Sequence, residues 1–342
     1  MERKLSWGIL STGSIAGAFA NGLAHSSTGV LRAVGSRTQE AADRFGATWG
    51  VERCYGRYED LLADPEVDAV YIATPHPWHA EWAIKAAEAG KHILCEKPLA
   101  LNYAEAQAIV DAARRNNVFL MEAFMYRCHP QITQLVELLQ AGVIGTVQVI
   151  QATFSFRADY DLHSRLLDRA LGGGGILDVG CYCASMARLI AGAAQGLPFA
   201  DPIKVTGVGY LGELSHVDEY ALAALEFPGG IVAQLLTGVR VAAKPEVCVL
   251  GSKGSLVLPD PWSPADNSNT RIIVNCHDER ESRVIDVTMH ETLYGLEADT
   301  VARSLAAHES PAMSWDDTLG NMQTLDRWRA AIGMTYEREA LV

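Results

Sequence analysis

Four side chains in this sequence stand where they could move a proton. Glu96 and Lys97 close the short apolar run His92-Ile93-Leu94-Cys95 and are followed at once by Pro98, while Asp178 and Tyr182 lie four residues apart just after Gly172-Gly173-Gly174-Gly175. On a helix that spacing puts a carboxylate and a phenol on one face, one turn apart. Held beside an amine, the two can relay a proton to or from an alcohol or carbonyl oxygen. Lys97, Asp178 and Tyr182 are therefore the candidate catalytic residues: Lys97 to hydrogen-bond the reacting oxygen, Tyr182 to exchange the proton, Asp178 to orient both. Blander roles stand beside these: a surface ion pair for Glu96 and Lys97, a helix cap for Asp178, packing for Tyr182.

These residues need elements to hold them. The run ending at Glu96 is too short for an amphipathic helix, lies between two helical patterns and stops at Pro98, so it predicts a buried strand with its charged pair at the carboxyl edge. In a doubly wound sheet ligands bind beyond those edges. Residues 5–10 predict a first strand, Ser11-Thr12-Gly13-Ser14 a tight turn, and residues 15–23, from Ile15, a helix. The dinucleotide fingerprint places G-x-G-x-x-G here, and this chain has Ser11-x-Gly13-x-x-Ala16. The middle glycine, where backbone and phosphate come closest, is kept, and the Ser11, Thr12 and Ser14 hydroxyls stand beside a helix N-terminus that favours anions. A small-residue turn with Ser14 as N-cap is the alternative. A second strand, residues 31–35, ends in Ser36-Arg37-Thr38. An acidic residue there would bind a ribose 2′-hydroxyl, whereas arginine with small hydroxyls suits a 2′-phosphate, so the pattern prefers NADP over NAD.

A short helix over 58–63 and a strand over 69–73 precede the rigid turn Thr74-Pro75-His76-Pro77-Trp78-His79, from which a helix runs over 79–89. His76 and Trp78 would line the mouth of the cleft. The His76 and His79 pair lacks a carboxylate or thiolate at a supporting spacing, and no metal site is expected. A helix over 103–116 and a strand over 119–122 complete the βαβ rhythm by about residue 126.

The chain of 342 residues is long for one core. Hydrophobic residues at 49% and charged ones at 20% suit a globular protein with a sizeable interior. A formal charge of −13 leaves no basic surplus for nucleic acid or anionic membrane. Seven cysteines at 54, 95, 128, 181, 183, 248 and 276 show neither metal-ligand nor disulfide spacing, which points to a reduced, cytoplasmic protein. No signal-type or membrane-spanning apolar run is read.

A second domain, residues 127–342, opens with a helix over 129–141 and a strand over 147–156. The loop 157–171 carries Arg157, Asp159, Tyr160, Asp161, His163 and Arg165, too polar for core and suited to a substrate cleft. A helix over 176–191 follows, with Cys181 and Cys183 as buried small apolar residues. Strand-like runs at 203–210, 220–227, 231–237, 247–250, 255–258, 271–274 and 282–287, with a hairpin at Pro228-Gly229-Gly230, imply a large, mainly antiparallel open sheet. Helices over 290–307 and 315–332 close the chain. The fold class is α/β: an N-terminal Rossmann doubly wound parallel sheet, residues 1–126, and a C-terminal α+β domain.

The first strand-turn-helix, Ala73-Thr74-Pro75, Cys95-Glu96-Lys97-Pro98, Met121-Glu122-Ala123, Gly174-Gly175-Ile176-Leu177-Asp178-Val179-Gly180-Cys181-Tyr182, Gly251-Ser252-Lys253-Gly254 and Tyr294-Gly295-Leu296-Glu297 together resemble the glucose-fructose oxidoreductase/inositol dehydrogenase (Gfo/Idh/MocA) family. Within it the chain looks most like the branch of dimeric dihydrodiol dehydrogenase and NADP-dependent D-xylose dehydrogenase. Ser11 departs from it, standing where the family usually has glycine. The resemblance implies hydride transfer between nicotinamide and a carbinol or carbonyl of a sugar-like or vicinal-diol substrate. It implies cofactor contacts from Ser11, Thr12, Gly13, Ser14, Ile15, Ser36, Arg37, Thr38, Thr74, His76, His79, Glu96 and Lys97, with Arg165 at the nicotinamide end. It also implies a homodimer, or a higher homo-oligomer, through the open sheet. Two other classes share the fold: dinucleotide-dependent glycosidases with no net redox, and regulators that bind a dinucleotide without turnover.

Overall fold

The computed structural model describes residues 3–263 and 269–336; the outer ends of the two expected domain spans lie outside the described residues. The chain divides into two compact units, Met1–Cys128 with His290–Thr318 and His129–Met289 with Leu319–Val342.

In the first unit the order is β1 (Leu5–Leu10), α1 (Ser14–Leu23), β2 (Gly29–Gly35), α2 (Gln39–Trp49), β3 (Arg53–Tyr55), α3 (Tyr58–Leu62), β4 (Ala69–Ile72), α4 (His79–Glu88), β5 (His92–Glu96), α5 (Tyr103–Arg115) and β6 (Leu120–Ala123). The six strands are all parallel, in the order β3-β2-β1-β4-β5-β6. The order reverses between β1 and β4, which opens a crevice at their carboxyl ends. Strands β4 and β6 are buried at every residue and β5 at every residue but His92. That explains why they read as continuous apolar runs rather than alternating ones. Phe19 on α1 stacks on Tyr71 of β4 with centroids 3.9 Å apart, and Trp7 of β1 meets Phe19 edge-on at 5.3 Å. Strand β3 was not foreseen: Arg-Cys-Tyr carries no apolar signal. It exists because β2 offers it a ladder and because Arg53, at 2.6 Å, and Tyr55, at 2.9 Å, both bind Asp64.

In the second unit come α6 (Pro130–Gln140), β7 (Val147–Ser155), a π-helical segment Ile176–Gly180 running directly into α7 (Cys181–Ala193), and then β8 (Lys204–Leu211), β9 (Asp218–Glu226), β10 (Val232–Gly238), β11 (Glu246–Gly251), β12 (Gly254–Leu258), β13 (Asn269–Cys276) and β14 (Arg283–Thr288). They form an eight-stranded sheet, β14-β13-β12-β11-β7-β10-β9-β8, antiparallel except where β7 meets β10. Residues of α7 are buried throughout, Cys181 and Cys183 among them as small core residues, and none of the seven cysteines is in a disulfide. The helical stretch 169–193 has the length and hydropathy of a membrane span, and its apolar window is wholly buried in the protein. Along β9 buried and exposed residues alternate, and the outward set of β8 to β10 leaves Val208, Tyr220, Leu222 and Val232 uncovered.

The last helices are α8 (Leu293–Ser304) and α9 (Trp315–Ala331). Residues 290–318 belong with the first unit, not with the span 127–342 to which the sequence assigned them. Asp299 on α8 accepts hydrogen bonds from Thr28 Oγ1 at 2.6 Å, Ser27 Oγ at 2.8 Å and the Ser26 hydroxyl. A Cβ on Gly22 of α1 would lie 2.4 Å from Tyr294 Cβ, so the glycine is what lets the two helices meet. Helical periodicity shows that a face is apolar but not which partner covers it.

Candidate functional site

In the first unit the crevice is built from four strand ends. After β1 the chain turns through Ser11, at φ +96°, a conformation glycine takes freely and serine does not. The serine that departs from the fingerprint thus still makes the glycine-like turn, at a strain of about 1–3 kcal/mol. Gly13, by contrast, has an ordinary φ of −73°, and a Cβ there would meet nothing within 4 Å. Nothing in the protein's own packing demands a glycine at 13; the open space lies at the N-terminus of α1, which no side chain caps and where a phosphate oxygen would approach backbone N–H groups. Ser14 is the first helical residue rather than the cap, and Ile15 follows half-buried.

After β2, Ser36 is buried, with Thr12 Oγ1 and Ser36 Oγ 3.4 Å apart, and Arg37 is exposed. Thr38 is the N-cap of α2, its hydroxyl accepting from Ala41 N–H at 3.3 Å, which leaves its own O–H exposed at this corner. Tyr58, which the sequence showed only as part of a short helix, belongs to this corner. Burial pushes its phenol pKa up, and the Arg37 charge and the Ser11 side chain act against that push.

After β4, Thr74 is buried and its hydroxyl has no hydrogen-bond partner, an orphan polar atom of the kind a bound ligand satisfies. His76 is buried against the His79 ring at 5.7 Å. His79 is a correction: it is fully buried, with Nε2 2.7 Å from the Thr74 carbonyl and Nδ1 3.0 Å from the Pro98 carbonyl, so it reaches no cofactor. It ties the turn after β4 to the turn after β5, and burial lowers its pKa against the pull of those carbonyls. Among the described residues no group of three or more His, Cys, Asp or Glu is placed to hold a metal.

After β5 comes Lys97, half-buried, followed by a cis peptide bond to Pro98. Leu99 N–H donates to Glu122 Oε1 at 2.8 Å, fastening this turn to β6. Glu96 is buried and accepts from the phenol of fully buried Tyr71, so its carboxylate supports the Lys97 turn from the interior. Below it lies Glu297 of α8, fully buried with neither oxygen hydrogen-bonded. Burial, and then the charge of Glu96, push its carboxyl well above the ordinary range. The sequence carries Glu297 only inside a motif; its burial beside Glu96 is a tertiary fact.

In the second unit Asp178 sits in the π-helical segment and Tyr182 in the first turn of α7, both buried. Asp178 does not cap the segment; Arg165 Nη1 pairs with it at 2.8 Å. That brings Arg165, from the polar loop, to the Asp178 carboxylate, while its side chain stays half exposed. The Tyr182 ring is held edge-on by Phe154 of β7 at 5.2 Å and Trp262 at 5.9 Å, and those two stack on each other at 5.6 Å. Neither aromatic was singled out in the sequence, although Phe154 lies in the strand predicted over 147–156. Such a cage restricts the phenol's direction by packing.

Comparison with known proteins agrees with this arrangement. Residues 5–124 match the GFO/IDH/MocA oxidoreductase family, NAD-binding Rossmann fold, and residues 132–257 match the GFO/IDH/MocA C-terminal domain. The chain is 34% identical to a trans-1,2-dihydrobenzene-1,2-diol dehydrogenase from Xenopus tropicalis, over 96% of this chain and 98% of that protein. It is 32% identical to an NADP(+) D-xylose 1-dehydrogenase from Haloferax volcanii, over 94% and 95%. A 3-ketoreductase from Actinomadura kijaniata, solved with NADP and TDP-benzene, superimposes with a TM-score of 0.86 at 27% identity, covering 96% of this chain and 98% of its own.

Proposed function

Since the chain belongs to the GFO/IDH/MocA family of oxidoreductases, we propose that it is an NADP-dependent dehydrogenase or reductase acting on a carbinol or carbonyl of a sugar-like or vicinal-diol substrate. The observation that carries this is a single sheet edge. The open space at Gly13 after β1 and the amine of Lys97 after β5 stand at the carboxyl edge of one sheet, two strands apart in the order β1-β4-β5. NADP, when bound, supplies or takes up the hydride at its nicotinamide. Ser11 to Ile15 and Ser36 hold the dinucleotide backbone, Arg37 the 2′-phosphate and Thr74 the orphan hydroxyl's contact. Lys97 hydrogen-bonds the reacting oxygen, Tyr182 exchanges the proton, and Asp178, steadied by Arg165, orients the phenol.

Fluorescence titration with NADPH and NADH, followed by absorbance assays at about 340 nm on aldoses, ketoses, osones and dihydrodiols, tests this reading. Tighter NADPH binding and turnover of one substrate class are expected. Lys97→Met should keep NADPH binding and lose about 100- to 10,000-fold in turnover; intact turnover would remove Lys97 from the mechanism. Glycoside cleavage without added cofactor, or binding with no turnover at all, would replace the dehydrogenase reading.

The uncovered face of β8 to β10 supports a further part of the proposal, that two copies associate there. Its exposed Val208, Tyr220, Leu222 and Val232 form an apolar surface on an open sheet, which soluble proteins usually cover. Seven cysteines, none in a disulfide, fit a reducing cytoplasm.

A further inference from the structure

Three side chains of the second unit hold the glycine turn 172–175 and the start of the segment bearing Asp178 and Tyr182. Tyr336 Oη donates to the Gly173 carbonyl at 2.6 Å, Thr237 Oγ1 donates to the Gly175 carbonyl at 3.0 Å, and Asp218 Oδ2 accepts from the Ile176 N–H at 2.6 Å. Asp218 differs in kind from the other two. It is fully buried at the start of β9, and its second oxygen, Oδ1, has no hydrogen-bond partner. Gly174, at φ +117°, approaches that oxygen so closely that a Cβ would lie 2.2 Å from it. No side chain of the segment's own N-cap, Gly175, does this work. A buried carboxyl with an orphan oxygen carries a desolvation cost that a purely space-filling residue would avoid.

We propose that Asp218 is a positioning residue for the Asp178 and Tyr182 pair, anchoring the Ile176 N–H and so setting where the segment that carries both begins, more firmly when its carboxyl is ionised. The inference rests on the reading of Tyr182 as the proton-exchanging group. An ionised acceptor at a helix start binds its N–H more strongly than a neutral one. Burial pushes the Asp218 carboxyl up to about 7, against the Ile176 and Asp218 N–H groups, the Arg329 guanidinium and the Gly175 N–H. The charged and titratable groups of the neighbouring elements also have partners of their own. Arg329 on α9 pairs with Asp326 at 2.6 Å, Glu219 on the same strand accepts from Ser215 at 3.0 Å, Asp178 pairs with Arg165, and the Tyr336 phenol is on Gly173. The anchor therefore gains its charge as pH rises through neutrality.

The test compares wild type, Asp218→Asn, Asp218→Ala and Tyr182→Phe for NADPH-dependent turnover across neutral pH. Wild-type kcat should fall on the acid side of about pH 7. Asp218→Asn keeps an acceptor without titrating, so that acid limb should flatten while the KM for NADPH stays unchanged. Asp218→Ala leaves Ile176 without its acceptor and should lower kcat about 100-fold, again with KM for NADPH unchanged. Melting curves give a readout without turnover. A carboxyl whose pKa is raised on folding binds its proton more tightly in the folded chain, so its contribution to stability is full below the ordinary carboxylate pKa and is lost as pH rises through about 7. Asp218→Asn should abolish that loss. Superimposable kcat profiles for wild type and Asp218→Asn would overturn the inference, even with the melting difference present, provided Tyr182→Phe is inactive. A fully active Tyr182→Phe would instead overturn the relay reading and this inference with it.

Discussion

At the residue scale the proposal for cofactor choice rests on Arg37. It follows β2 on an exposed corner, and its charge and the Ser11 side chain both act on the buried Tyr58 phenol, which links this corner to the turn after β1. A charged hydrogen bond to a phosphate contributes about 1.5–3 kcal/mol. Arg37→Ala should therefore weaken NADPH about 10- to 100-fold and leave NADH nearly unchanged, as read by fluorescence titration. An equal loss for both cofactors would remove the 2′-phosphate role. At this scale the chemistry-bearing residue types were legible: Gly13, Arg37, Lys97, Asp178 and Tyr182 all announce themselves by spacing. Burial was not. His79, expected among the cofactor contacts, is a buried tie between two turns, and Tyr58, expected only as part of a short helix, lies beside the turns after β1 and β2.

The glycine turn shows how an element can be fixed from outside itself. In sequence, Gly172 to Gly175 reads only as close approach. In the fold, Gly174 needs both its φ of +117° and its missing side chain, because Asp218 Oδ1 occupies the space. Gly175 is equally confined, since a Cβ would lie 2.8 Å from Gly238 Cα on β10. Gly174→Ala should thus lower unfolding stability by about 1–3 kcal/mol in denaturant melts, from backbone strain with the Asp218 clash added. It should also reduce turnover while NADPH binding persists. A variant of wild-type stability would show that the turn can relax elsewhere. The segment after the turn was foreseen as helix but not as π-helix, a local widening often found at functional sites that depends on what packs around it.

For the whole molecule, two units with separate cores carry the proposed site residues. Lys97 and the dinucleotide turns lie in the first, and Asp178, Tyr182 and Arg165 in the second. The chain crosses back, because α8 supplies Asp299 and Glu297 to the first unit. The open face of the second sheet belongs to this scale too. Val208 is 67% exposed on the edge strand β8, and Val208→Lys should shift the protein toward monomer in light scattering while leaving NADPH binding intact. An unchanged mass would show that this face is not where copies meet.

By itself, the sequence determined the alternation of strands and helices, the parallel first sheet and mainly antiparallel second one, the strand ends where chemistry gathers and the preference for NADP. All of these follow from local periodicity and from residue types at turns. What only the tertiary structure decided is which groups meet across long separations: α8 on α1, Glu297 beside Glu96, Phe154 and Trp262 around Tyr182, Asp218 beneath Ile176. Local pattern says that a face must be covered or a charge paired. The partner is chosen by the packing of the whole chain, where burial sets the strength of each electrostatic contact.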